Sequence, residues 1–178
     1  MILTGPEIAR QRDAGRITIE PFSPDQVNPN SYNFRLGPVL KVYADEMLDV
    51  RRPNPAQELT IPETGLVLRP DRIYLGSTVE VMGSDSYVPI IRARSGIARL
   101  GLFVHVTADL IDIGSVNQWT LQLHAVQPVR IYAGLLIGQV TFWTTQGEVI
   151  LYNGKYQGTR GPQESRIHQD FLASGAAA

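Results

Sequence analysis

Short β-prone runs, cut apart by Pro, Gly, Asn and Asp, occupy the chain from residue 39 to residue 143 and restrict its fold more than any other feature. The runs are Val39–Tyr43, Leu66–Leu68, Ile73–Val81, Val88–Ile91, Trp119–Leu123 and Gly138–Trp143. In Thr120-Leu121-Gln122-Leu123-His124 polar and apolar residues alternate, the period of a strand with one buried face. Many short strands with turn signals between them predict a sandwich or barrel. Ahead of them, Thr4-Gly5-Pro6-Glu7 reads as a helix start, with Thr4 as N-cap and Glu7 completing a capping box. Gly15 is a fitting stop, so one short helix is predicted near residues 5–14.

A chain of 178 residues fits one domain with a real core. We place that domain at residues 1–170 and expect 171–178, with its Ala/Gly-rich end Ser174–Ala178, to be a frayed tail. Sixteen basic and seventeen acidic residues leave a formal charge of −1, which gives no global field to gather nucleic acid or anionic lipid. Neither is expected as a partner. No apolar stretch approaches a membrane span, and the N-terminus lacks the marks of a signal peptide, so the cytoplasm is the expected compartment. The absence of cysteine excludes disulfides, Fe–S clusters and thiol nucleophiles.

Two segments break the β pattern. Arg94-Ser95-Gly96-Ile97-Ala98-Arg99-Leu100-Gly101 looks like a strand running into one helical turn near residues 95–100, ended by Gly101. Backbone N–H groups there, with Ser95, Arg94 and Arg99 beside them, suit an anion. A polar turn with solvated arginines fits the same residues, and local physics leaves both readings open. The second segment, residues 152–166, joins Tyr152, Lys155, Tyr156, Thr159 and Arg160 to glycines 154, 158 and 161 without any strand period. It reads as a flap that closes over a phosphorylated ligand, or equally as a disordered polar end.

Taken in order, these segments resemble a known family. Arg94-Ser95-Gly96-Ile97-Ala98-Arg99-Leu100-Gly101-Leu102 is similar to the R-S-S-L-A-R-L-G-L signature of the dCTP deaminases, a branch of the trimeric dUTPase-like proteins. Val104-His105-Val106-Thr107-Ala108 with Ile111-Asp112, then Gly134-Leu135-Leu136-Ile137-Gly138-Gln139, match two further blocks. Lys155-Tyr156-Gln157-Gly158, Arg160-Gly161-Pro162 and Ser165-Arg166 resemble the C-terminal flap, and Ser31-Tyr32-Asn33-Phe34-Arg35-Leu36-Gly37 parallels an N-terminal segment. The resemblance implies a distorted, jelly-roll-like β-barrel that forms a homotrimer with nucleotide sites at subunit contacts. It further implies that Ser95 and Arg99 bind phosphates while Arg94 and Gly96 shape the turn, with Ile97, Ala98 and Ala108 beside the ligand. Asp112 would contact the deoxyribose and nearby water, and Thr120, Leu121 and Gln122 would line the base pocket. Tyr152, Lys155 and Thr159 would close over base and triphosphate, and Mg²⁺ would accompany the phosphates.

Most nucleobase deaminases use zinc held by His and Cys. With no Cys and only His105, His124 and His168, none in ligand spacing, that mechanism is excluded. The resembled family works without zinc and uses a strand glutamate to activate water and protonate the departing amine. Here the matching position is Gln122, and an amide cannot act as a general base near neutral pH. Gln122, Arg99 and Ser95 are the catalytic positions that the resemblance points to. Asn33, Ser115, Asn117 and Thr159 also depart from the family pattern, which suggests a divergent pocket. Three readings follow: a dCTP deaminase, altered or inactive at Gln122; a dUTPase-like diphosphohydrolase; and a non-catalytic nucleotide binder. The first leads because the blocks match it over most of the chain. Ser95, His105 and Asp112 make a poor serine-hydrolase triad without a G-x-S-x-G elbow, His105 being expected as a hydrogen-bonded barrel histidine. Asp109 and Asp112 would point to opposite faces of an extended strand, and Asp45, Glu46 and Asp49 read as a solvated loop. Trp119 and Trp143 are expected in the core or at a subunit contact.

Overall fold

The computed structural model describes residues 1–173; of the expected frayed tail, 171–178, residues 171–173 are helical and 174–178 lie outside the described residues. The chain is mainly β, with the dUTPase-like fold. Helix α1 (Gly5–Asp13) leads into strands β1 (Thr18–Glu20), β2 (Tyr32–Arg35), β3 (Val39–Tyr43), β4 (Ala56–Thr60), β5 (Leu66–Leu68), β6 (Tyr74–Ser77), β7 (Val81–Gly83) and β8 (Val88–Ala93). The helical turn α2 (Ser95–Ala98) follows, then β9 (Leu102–Phe103), β10 (Thr120–Ala125), β11 (Val129–Ile131), β12 (Leu136–Trp143) and helix α3 (His168–Ala173). All pairings between these strands are antiparallel. A five-stranded sheet in the order β4-β3-β6-β10-β9 and a three-stranded sheet β2-β12-β8 are joined by the two-stranded pairs β1-β7 and β11-β5.

Alternation explains why these runs are strands. In β10 the odd-numbered Leu121, Leu123 and Ala125 are fully buried while Thr120, Gln122 and His124 are half-buried on the opposite face. Leu40 of β3 joins them from the same sheet, and Tyr32, Phe34, Val140 and Phe142 complete the core from the three-stranded sheet. Removing this much apolar surface from water is the main favourable contribution to such a fold. Among the described residues no helix is long and apolar enough to cross a membrane.

Two expectations need correction. The run Ile73–Val81 is not one strand: it breaks into β6 and β7 around Thr78 and Glu80, both buried. The Glu80 carboxylate accepts from Arg35 N at 2.9 Å, Arg35 Nε at 2.7 Å and Gln26 Nε2 at 3.1 Å. A buried carboxylate must be paired, and reaching these donors bends the chain out of the sheet. The capping box does not form either. Thr4 makes no side-chain cap bond, and Glu7 instead accepts from Arg10 and Gln11 within α1. Gly15 does end the helix as expected, in the left-handed region at φ 73°.

Candidate functional site

The face of the five-stranded sheet that turns away from the core carries the site. Strand register sets Gln122 of β10 beside Leu75 of β6, and Leu75 beside Lys41 of β3. Lys41, Leu75 and Gln122 thus form one cross-strand row on one face, with Thr120 and Tyr43 two residues along their strands on the same face. Above this face is a cavity of about 370 Å³. Leu75, Thr120 and Gln122 line it from the sheet, Ala108, Asp112, Ser115 and Asn117 from the loop before β10, and Tyr152, Tyr156, Thr159 and Glu164 from the C-terminal segment.

That segment turns at residues 155–158 and is then laid across the sheet as a strap. Its alternate N–H groups, those of Thr159, Gly161, Gln163 and Ser165, donate to Asn117 Oδ1 at 3.1 Å, Gln118 Oε1 at 2.8 Å, Thr120 Oγ1 at 3.0 Å and the Tyr43 hydroxyl at 3.0 Å. Side-chain acceptors replace the backbone ladder of a true strand, so the strap satisfies its donors without joining the sheet. Lys41 Nζ donates to Glu164 Oε2 at 2.8 Å, which holds the Glu164 carboxyl below the usual carboxylate range. At the start of the strap, Tyr152 N donates to Ile113 O at 2.8 Å. Gly114 stands beside this contact at φ 90°, where an added Cβ would sit 2.9 Å from Tyr152 N.

Gln122 is the most unusual polar group on the wall. Its Nε2 donates to Thr120 O at 3.1 Å, and its Oε1 is buried without a partner among the described residues. Exchanging the amide atoms would set two acceptor oxygens against each other, so the Thr120 carbonyl fixes the assignment. Gln122 lines the cavity, and its buried Oε1 is an acceptor left without a donor among the described residues. An unpaired buried acceptor costs about 1–3 kcal/mol, and a bound donor recovers that loss.

The structure gathers Ala108, Asp112, Thr120, Gln122, Tyr152 and Thr159 around one cavity. Leu121 is not there: strand alternation turns its side chain into the core. Lys155 is also elsewhere. Its ammonium pairs with Asp170 at 2.5 and 2.6 Å and lies 6.0 Å from the Tyr156 ring centre. The whole turn Arg94–Arg99 stands apart too, with Ser95, Gly96, Ala98 and Arg99 exposed. Ala98 borders a second, apolar cavity of about 410 Å³ shared with Phe103, His105 and Val126. No Arg or Lys lines the first cavity among the described residues, so it holds no cation of its own for a phosphate.

Of the positions that depart from the family pattern, Ser115, Asn117, Thr159 and Gln122 meet in the first cavity, whereas Asn33 does not. Asn33 is buried on β2, where its Nδ2 donates to Asn28 Oδ1 at 3.3 Å. Among the described residues no hydrogen bond joins Ser95, His105 and Asp112. His105 Nδ1 is buried without a partner, contrary to the hydrogen-bonded histidine expected, and burial followed by nearby Arg92 lowers its pKa. Asp109 pairs with Arg92, leaving only Asp112 of the two aspartates on the cavity wall. Trp119 is buried beside the cavity as expected, while Trp143 is 39% exposed. Sequence reasoning missed Tyr43, Gln118, Gln163, Glu164 and Ser165 as wall residues. The period of two between Lys41 and Tyr43 hinted at Tyr43, and the expected flap at 152–166 spans Gln163, Glu164 and Ser165.

Residues 2–145 match the family described as dCTP deaminase-like. The chain belongs to that family. Over 174 residues it is 45% identical to "dCTP deaminase, dUMP-forming" of Clostridium acetobutylicum, covering 97% of this chain and 99% of the relative. A Clostridium botulinum protein of the same name is 47% identical over 172 residues, 96% of this chain and 99% of the relative. A crystal structure of 2'-deoxycytidine 5'-triphosphate deaminase from Agrobacterium tumefaciens superposes with a TM-score of 0.64 at 20% identity, covering 81% of this chain and 48% of that chain. At that identity it supports the fold alone. For a dCTP deaminase-like protein, the sheet face with Thr120 and Gln122 is the wall on which the base-pocket residues were expected.

Proposed function

We propose that the protein deaminates a deoxycytidine nucleotide, dCTP, in a site shared between copies of a homotrimer. The observation that carries this reading is the division of the expected site residues. The cavity has Gln122, with its unpaired acceptor, and no cation on its wall among the described residues, while Ser95 and Arg99 stand exposed and Arg94 half-buried on a separate turn. A nucleoside triphosphate needs both halves, and a second copy supplies the turn that the first cannot bring to its own cavity. Gln122 Oε1 accepts from the cytosine amino group, Asp112 faces the sugar, and the turn binds phosphate through Ser95 and the guanidinium groups. Mg²⁺ travels with the phosphates and neutralises their charge. Among the described residues no three acidic or histidine side chains converge on a metal, so its ligands are phosphate oxygens and water.

A second reading, hydrolysis at the α-phosphate, is favoured by the name its relatives carry, dUMP-forming. The two fit one sequence of events, deamination with loss of pyrophosphate. Incubation with Mg²⁺ and dCTP, dUTP or their ribo forms, followed by anion-exchange separation, tests both. Deoxyuridine nucleotide from dCTP is expected, as dUTP or as dUMP with pyrophosphate. Nucleotide binding with no product from any of them would leave a non-catalytic binder.

A further inference from the structure

An amide at position 122 leaves a deaminating cavity without the carboxylate expected to move its protons, so the carboxylates that do reach the cavity decide the chemistry. Two line it, Asp112 and Glu164. Asp112 is exposed, and among the described residues its carboxylate takes no hydrogen bond or ion pair. Glu164 is held in place. On either side of it, Gln163 N and Ser165 N donate to Thr120 Oγ1 and the Tyr43 hydroxyl, both at 3.0 Å, and Lys41 Nζ donates to Glu164 Oε2 at 2.8 Å. Lys41 belongs to the row that ends in Gln122, and neighbouring strands lie about 4.8 Å apart, so the Lys41-bound carboxylate sits over the same sheet face as the amide, two strands away.

We infer that Glu164, brought to the cavity by the strap, is the general base of the deamination, with Gln122 left to position the amino group. The inference rests on the deaminating reading above. Lys41 keeps the carboxylate charged at neutral pH. Oε1, which takes no hydrogen bond from another residue among the described ones, is left to accept one from water. Glu164 removes one proton from that water as its oxygen bonds to C4 of cytosine. The electron pair of the N3–C4 double bond moves to N3, which receives the proton from Glu164. Glu164 then carries the remaining hydroxyl proton to the amino nitrogen. The C4–N bond breaks with its pair on nitrogen, ammonia leaves, and the C4 oxygen becomes the carbonyl of uracil. Both water hydrogens are accounted for, one on N3 and one in ammonia.

The test is dCTP deamination, read as ammonia release, in the full-length protein and in Glu164→Gln, Gln122→Glu and the double variant, with dCTP binding measured by calorimetry in each. Glu164→Gln is expected to lose about 10²- to 10⁴-fold in turnover with binding retained, the usual range for removing a general base. Adding Gln122→Glu to it should restore turnover, because a carboxylate returns to the cavity. Turnover of Glu164→Gln equal to that of the parent overturns the role of Glu164 while the deaminase reading stands. A parent that releases no ammonia, beside an active Gln122→Glu, overturns both.

Discussion

On the proposed reading the outward face of β10 and the turn Ser95–Ala98 carry the two halves of one chemistry, and the fold treats them in opposite ways. On and beside the sheet several polar wall residues are braced: Thr120 accepts from Gln163 N, Gln122 donates to its own strand, and Asn117 and Gln118 hold the strap. On the turn, Ser95 and Arg99 are exposed, and among the described residues the Arg94 guanidinium makes a single 3.5 Å contact, to Leu136 O. A braced surface is complete within one protomer. The turn instead presents an exposed arginine and serine beside an apolar cavity. On the proposed reading, base recognition belongs to the subunit, whereas phosphate recognition belongs to its assembly.

The sharpest way to break this comparison is to cut each half separately. Leu121→Ala, on the core face of β10, should cost about 2–5 kcal/mol in denaturant unfolding, the usual range for a buried leucine. Thr120→Ser on the other face should leave unfolding nearly unchanged, and equal losses would deny the two-faced reading of the strand. Arg99→Ala should lower turnover about 10²- to 10³-fold, as removal of a charge-stabilising donor does, without shifting the unfolding midpoint. A large shift in midpoint would make the turn structural. Tyr43→Phe removes the acceptor for Ser165 N and should weaken nucleotide binding by about 0.5–1.5 kcal/mol, one hydrogen bond's worth, in calorimetric titration.

The smallest effect concerns the second cavity. His105 has its pKa pushed below the ordinary 6.5, first by burial and then by Arg92, so the folded state keeps it neutral. As pH falls through 6.5 the unfolded chain takes up a proton that the folded chain refuses, so stability present above that pH is lost on acidification. His105→Asn should flatten the fall in melting temperature between about pH 7 and about pH 5. An unchanged slope would place the titration elsewhere.

Much of this was legible in the sequence wherever a local rule governed. Thr120-Leu121-Gln122-Leu123 announced a strand with Gln122 on its polar face, and Gly101 at φ 72° ends the turn that its position suggested. Leu121 was misplaced because block matching treats neighbours in sequence as neighbours in space, and a strand separates them onto opposite faces. Thr78 and Glu80 hid a strand break, because the partners of Glu80, Arg35 and Gln26, lie 45 and 54 residues away. Glu164 lay within the expected flap without being singled out: its clamp, Lys41, is 123 residues distant, and no periodicity links them. Resemblance found the positions a family shares, and long-range contacts supplied those this chain has for itself.

Complementation between two damaged halves tests the central claim most directly. Arg99→Ala leaves the cavity intact, and Ala108→Trp, at an exposed wall position, fills the cavity and spares the turn. Each variant alone should be inactive toward dCTP. Co-expressed in equal amounts, random mixing in closed trimers leaves about one site in four with an intact cavity and an intact turn from different copies. Recovery of roughly that fraction of parental turnover is the result the account predicts. No recovery, from mixtures shown to contain mixed trimers, would contradict it and place both halves of the site on one chain.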